Sequence, residues 1–280
     1  MRAGQATGMQ IALLMFAVML LSVPLAEYLL KITGVTGAAR ALLEKGIHLA
    51  LACLLIGSFP GLRQFAIWEL SKPIPTGKWT EISLVALAKL AQAFAAVVAI
   101  AFLLWATQGP ERVDRMAIGI ERESANALSE SGLVHLMLAV LIGPLIEELV
   151  FRGFIYRAFE RQWSWFASML ATSILFGVYH THFWSSFVSS IIYVCVLRRT
   201  GSLRAPILVH MMFNLMLWPP LLGQYVFPHG VSLSDAATWR FHLACLILGA
   251  IALPIYVWMS RDRHAATPTL FLQPDGALPK

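Results

Sequence analysis

Charge is what this sequence has least of. Of its 280 residues, 13% are Asp, Glu, Lys or Arg, against about a quarter in a water-soluble domain. That deficit, with a mean hydropathy of +0.71, excludes an ordinary soluble globular fold. Cysteine is almost as scarce. Cys53, Cys195 and Cys245 each lie in an apolar stretch with no Cys-x-x-Cys pair, which excludes a disulfide framework and a thiolate zinc site. No His-Glu-x-x-His is present, so the helical zinc motif of many metalloproteases is missing. Internal repeats and low-complexity tracts are also missing. The net charge of +6 does not point to nucleic acid, because the bases fall in short loops between apolar runs, the topology pattern of membrane proteins. What remains is an all-α, polytopic membrane bundle in a lipid bilayer.

Apolar runs divide the chain into about eight expected spans. The first is Met9 to Leu30, read as an uncleaved span rather than a signal peptide, because Pro24-Leu25-Ala26 is a poor cleavage site and the run continues past it. The second covers Gly46 to Phe59, with helix expected from about Ala38. Pro60 to Glu81 reads as a polar connection broken by Pro73, Pro75 and Gly77. The third span is Ser83 to Thr107, with Lys89 expected to stretch toward one surface. The fourth is Leu133 to Tyr156, the fifth Trp163 to His180 and the sixth Phe183 to Leu197. The seventh is Ala205 to Tyr225, interrupted at Pro219-Pro220, and the eighth Phe241 to Met259. Residues 1–262 read as one transmembrane domain and 263–280 as a mobile tail. Eight spans place twelve Lys and Arg on one face and seven on the other, which predicts both termini on the cytoplasmic side.

Against this apolar background, Gly143-Pro144-Leu145-Ile146-Glu147-Glu148-Leu149-Val150-Phe151-Arg152 stands out. Each ionisable group at membrane depth is disfavoured by at least ~2.5 kcal/mol, so two carboxylates and a guanidinium within six residues require a reason. Glu148 and Arg152 at i and i+4 form a pair along one helix face. Glu147, rotated by roughly 100°, points elsewhere with no partner on its own helix. Pro144 inside the helix predicts a kink just before the carboxylates. A buried salt bridge tying helices together accounts for the pair but not for Glu147.

Two further polar islands follow, Phe176-Gly177-Val178-Tyr179-His180, with His182 beyond it, and His210-Met211-Met212-Phe213-Asn214. A lone histidine in a span is more often structural. Together with Glu147, however, these supply a carboxylate, two imidazoles and an amide from three helices, and bundles build sites from such inward-facing groups. A carboxylate and an imidazole can deprotonate a water, while a second imidazole and an amide N–H can stabilise an oxyanion. No serine or cysteine in the motifs offers itself as a nucleophile, so direct attack by water is expected. Straight helices normal to the bilayer would not bring the groups together. Either the helices tilt and kink, or the short fifth and sixth spans form a hairpin that does not fully cross.

Glu147-Glu148-x-x-x-Arg152, Phe176-x-x-x-His180 and His210-x-x-x-Asn214, in that order on successive spans, resemble the motifs of the CPBP (CAAX protease and bacteriocin-processing, or Abi) family of intramembrane proteases, which includes the Rce1-type CAAX endopeptidases. The resemblance covers about residues 133–218. It implies an endopeptidase in which Glu147 and His180 activate water and His210 and Asn214 form the oxyanion hole. Glu148, Arg152 and Phe176 would support the site or orient substrate. The implied substrate is a peptide or lipid-modified protein. No cofactor is favoured. Zinc held by Glu147, His180 and His210 is the alternative, and a proton-coupled transporter or a non-proteolytic membrane scaffold are readings from other classes. His182 has two open roles, second base or interfacial residue.

Overall fold

In a computed structural model of the chain, residues 8–113, 115–116, 118, 130–180, 182–217 and 236–261 are described. Among them there is no strand. Helices α1 (Gly8–Thr33), α2 (Gly37–Ser58), α3 (Pro60–Ser71) and α4 (Trp79–Gln108) precede a long helical run, α5. The α5 run consists of Glu130–Met137, a π turn Leu138–Ile142, Gly143–Glu148, a π segment Leu149–Tyr156 and Arg157–Glu160. Helices α6 (Trp165–Tyr179), α7 (Phe183–Thr200), α8 (Arg204–Met216) and α9 (Ala236–Met259) complete the bundle. The expected interruption at Pro219-Pro220 and the expected mobile tail lie outside the described residues.

The α5 run is the axis of the bundle. Its apolar residues occur all round rather than in a stripe, which is the pattern of a helix enclosed by others, and every residue from Glu148 to Phe159 is buried. Helices α1, α2, α3 and α6 pack around it in one cluster that includes Met15, Phe65, Phe151, Phe154 and Phe176. A second cluster joins α4, α7 and α8 through Ala86, Tyr193, Val196 and Val209. The outer faces are apolar too, with Leu13, Leu21, Leu84, Leu103, Leu246 and Ile251 all exposed, as expected where the surrounding solvent is lipid. This is a membrane protein. Met9–Thr33 and Gly132–Glu160 are long and apolar enough to cross a membrane, as is a third span if Gly46–Ser58 and Pro60–Ser71, bent by 108°, are counted as one. Eight crossings are expected, and two or three helices meet those criteria among the described residues.

Three expectations need correction. Pro60 to Ser71 is helical, not a polar connection; Pro60 opens α3, where a missing N–H is harmless, and the chain turns sharply at Phe59. The disturbance at Pro144 takes the form of a π turn. Gly143 gives its N–H to the carbonyl of Leu138, and a Cβ at Gly143 would lie 2.9 Å from that oxygen. Lys89 does not reach a surface. It is 1% exposed and donates to the Tyr193 hydroxyl at 2.7 Å.

Bases that the span count assigns to one face do gather at one end. Lys72 and Arg157 lie against Glu69, Arg157 and Arg198 against Glu160, and Lys78 and Arg199 against Glu81. At the opposite end of α6, the chain reverses into α7 within three residues. Gly177 permits this, since a Cβ there would meet the Phe183 ring at 2.8 Å. With 15 residues, α6 rises about 22 Å, short of a hydrocarbon core of about 30 Å, while α7, with 18 residues, rises about 27 Å.

Candidate active site

The π turn in α5 sets the first contact of the site. In π register the carbonyl of Ala139 would accept from the residue five positions on, which is Pro144 and has no N–H. Its α-register donor, Gly143, is committed to Leu138. The vacant acceptor is taken by Asn214 Nδ2 at 2.8 Å. A carbonyl only accepts, so this contact also settles which end of the Asn214 amide is nitrogen. One of the two amide N–H bonds is used in this way.

His180 stands one residue past the end of α6, in extended backbone, rather than inside the helix. Its Nδ1 lies 2.8 Å from the carbonyl oxygen of Phe176. That oxygen accepts, so Nδ1 carries the proton and the neutral ring presents the lone pair of Nε2. Nε2 is 3.6 Å from Glu147 Oε2, too long for a direct hydrogen bond. One water oxygen about 2.8 Å from each atom would donate to both.

His210, on α8, shows the same logic. Its Nδ1 is 2.9 Å from Glu148 Oε1, and its Nε2 is 3.9 Å from Glu147 Oε2. The ring lies flat on Tyr193, with centroids 4.7 Å apart at 24°. Glu148 is fully buried and also accepts from Arg152 Nη1 at 3.1 Å. The i, i+4 pairing is therefore present, but the carboxylate serves two partners. The rest of the Arg152 guanidinium lies over the rings of Phe176 and Tyr193, at 4.3 and 5.0 Å, so its buried Nε and Nη2, which have no hydrogen-bond partner, face π clouds instead. Phe176 touches nearly everything: Phe151 edge-on at 4.9 Å, His180 at 4.3 Å, and Arg152.

Glu147, Phe176, His180, Tyr193, His210 and Asn214 line one cavity of about 350 Å³. Glu148 and Arg152 stand behind it. All seven expected residues are thus brought together, five of them on the cavity wall and Glu148 and Arg152 behind it. His182 is exposed and not on the cavity wall; its carbonyl accepts from the Ser186 N–H at 3.1 Å. Three wall or support residues escaped sequence reasoning. His48, on α2, lines the cavity beside Ser22 and Tyr179. Tyr193 and Lys89 lie beneath His210. Both carry polar groups within apolar runs, and that was the signal available for them. Among the described residues no group of three His, Cys, Asp or Glu side chains is arranged to hold a metal ion.

Glu147 Oε2 and the Nε2 atoms of His180 and His210 thus converge on one corner of the cavity. Residues 129–216 match the family described as type II CAAX prenyl endopeptidase Rce1-like. The chain is 30% identical over 110 residues to YdiL of Bacillus subtilis (strain 168), which is named as a candidate membrane peptidase; the match covers 36% of this chain and 45% of YdiL. It is 32% identical over 106 residues to the UPF0177 protein YbdI of Lactococcus lactis subsp. lactis (strain IL1403), covering 35% of this chain and 56% of YbdI. The chain thus spans about half the length of the curated relatives it matches. No solved structure matches it. The family match is confined to residues 129–216, the part of the chain that holds all three motifs.

Proposed function

We propose that the protein is an intramembrane endopeptidase that cleaves a peptide bond in a membrane-associated or lipid-modified substrate, with both termini of the enzyme in the cytoplasm. The observation that carries this reading is the approach of Glu147 Oε2 to the Nε2 atoms of both His180 and His210, at 3.6 and 3.9 Å, in one cavity.

In the proposed reaction a water donates to Glu147 and to His180 Nε2 and loses a proton to this pair as its oxygen adds to the scissile carbonyl carbon. The resulting oxyanion accepts from the second Asn214 N–H and from His210 Nε2. Since Nδ1 of His210 already donates to Glu148, Nε2 donates only when the ring carries both protons. Collapse of the tetrahedral species breaks the C–N bond, and the proton taken from water passes to the leaving amine. Groups of this kind contribute about 10²–10⁴ as acid and base and about 10²–10³ as an oxyanion donor. No step is routed through a metal.

The test is cleavage of a peptide library by the purified, detergent-solubilised protein, read by mass spectrometry. Wild type, Glu147→Gln and His210→Ala run in parallel, with and without a strong chelator. Cleavage lost in both variants and kept with chelator is the expected outcome. Cleavage lost with chelator and regained with zinc would replace it by a metalloprotease, and variants as active as wild type would overturn the site.

A further inference from the structure

We infer that Lys89 is a positioning residue of this site, acting through Tyr193 to hold the His210 imidazole in place. Lys89 belongs to α4, outside the family-matching residues 129–216. Its Nζ donates to Tyr193 Oη at 2.7 Å and lies over two rings, Tyr193 at 4.0 Å and Phe213 at 3.8 Å. Tyr193 is on α7 and Phe213 on α8, so one amino group clasps three helices. The two aromatic partners are not arbitrary. Tyr193 is the ring on which His210 lies flat, and Phe213 precedes Asn214 and lines the cavity.

Tyr193 is held from two directions. The Arg152 guanidinium that pairs with Glu148 also lies 5.0 Å from its ring. His210 is therefore fixed at its Nδ1 edge by Glu148 and at its face by a tyrosine clamped between two basic groups. An imidazole with one hydrogen bond keeps a swivel about that bond, and stacking on a fixed ring removes it, so that Nε2 stays aimed at Glu147. A group that only filled space here would be apolar, because a buried basic side chain in a span is disfavoured and replacement by a well-packed apolar one is often neutral or stabilising. Retaining lysine makes sense if the gain lies in the geometry of the site.

The inference rests on the proposed hydrolysis for its meaning, yet its first test needs no substrate. In detergent-solubilised full-length protein, carbethoxylation of His210 and His180 by diethyl pyrocarbonate is timed by mass spectrometry. In Lys89→Met, His210 modification is expected to accelerate several-fold while His180 keeps its wild-type rate and the thermal midpoint does not fall. Tyr193→Phe, which keeps the ring but loses the anchor, is expected between wild type and Lys89→Met. An unchanged His210 rate, or equal acceleration of both histidines as general loosening would give, overturns the inference. On the peptide wild type cleaves fastest, Lys89→Met is expected to lower kcat about 10–100-fold, the range for groups supporting a primary residue. KM should hold, and Lys89→Met combined with Tyr193→Phe should be no slower than Lys89→Met alone. An additive double variant would overturn the claim that Lys89 acts through Tyr193. Glu147→Gln cleaving like wild type would instead remove the hydrolytic reading, leaving the His210 rates to decide on Lys89.

Discussion

His210 donates through Nδ1 to Oε1 of Glu148 at 2.9 Å, and this contact gives the two adjacent carboxylates separate duties. Glu147 faces the cavity. Glu148, with no exposed surface, faces Arg152 on one side and the imidazole on the other. Adjacent residues on a helix diverge by about 100°, so one Glu-Glu pair reaches both the cavity and the back of the His210 imidazole.

Glu148→Gln should therefore injure activity without emptying the cavity. A glutamine oxygen can still accept from His210, but it brings no charge for an imidazolium and leaves Arg152 buried without its counter-ion. The expected loss in kcat is about 10–100-fold. Breaking a buried pair typically destabilises by about 3–5 kcal/mol, so the thermal midpoint in detergent should fall as well. Wild-type stability in this variant would contradict the shared role of Glu148.

Asn214 ties the cavity wall to the π turn. Asn214→Ala is expected to lower kcat by about 10²–10³ with little change in KM. It also leaves the Ala139 carbonyl without its donor, a loss of about 1–3 kcal/mol if water cannot reach it. Asn214→Asp, which offers that carbonyl only an acceptor unless protonated, should be at least as poor in both kinetics and melting.

Much of the site was legible because ionisable and amide groups are rare enough in apolar runs to announce themselves. Glu147, Glu148, Arg152, His180, His210 and Asn214 were all found that way, and helical spacing alone paired Glu148 with Arg152. The second partner of Glu148 was not legible, because it comes from α8, 62 residues away, and no local period encodes it. The π turn was hidden for a related reason. Pro144 announces a missing N–H, but which carbonyl is orphaned depends on the register its neighbours adopt. Lys89 was misjudged as a residue stretching to the surface, since a long basic stem in a span is as compatible with that as with burial under Tyr193. Helix α3 was mistaken for a loop because Pro73, Pro75 and Gly77 are loop residues, while the break lies after Ser71.

Gly177 should be as sensitive as a catalytic residue although it touches no substrate. An added Cβ would meet the Phe183 ring at 2.8–2.9 Å and the Phe183 carbonyl at 3.1 Å, prying open the hairpin that carries His180. Overpacking of this kind destabilises by about 1–3 kcal/mol. Gly177→Ala should lower both the thermal midpoint and the cleavage rate. Combining it with Phe183→Ala should restore part of each, since the ring clash is removed and the carbonyl contact remains.

Acid should loosen the opposite end of the bundle through Glu81. This residue stands in the first turn of α4, before the apolar run. Burial by itself pushes its carboxyl up, but hydrogen bonds from Arg199 and Lys78 outweigh burial and hold it at about 2, below the ordinary 4.5. The folded state thus favours ionised Glu81 more than the unfolded chain does. Its contribution to stability is fully present above about pH 4.5 and is lost as pH falls toward about 2, because the unfolded carboxyl takes up its proton first. Melting of wild type and Glu81→Gln in detergent, followed from pH 7 to 2, isolates this contribution from that of other carboxylates. The gap between the two proteins should be constant in the upper part of the range and close below about pH 4.5. A gap that persists to the acid limit would mean that Arg199 and Lys78 stabilise the fold by contacts that do not depend on the Glu81 charge.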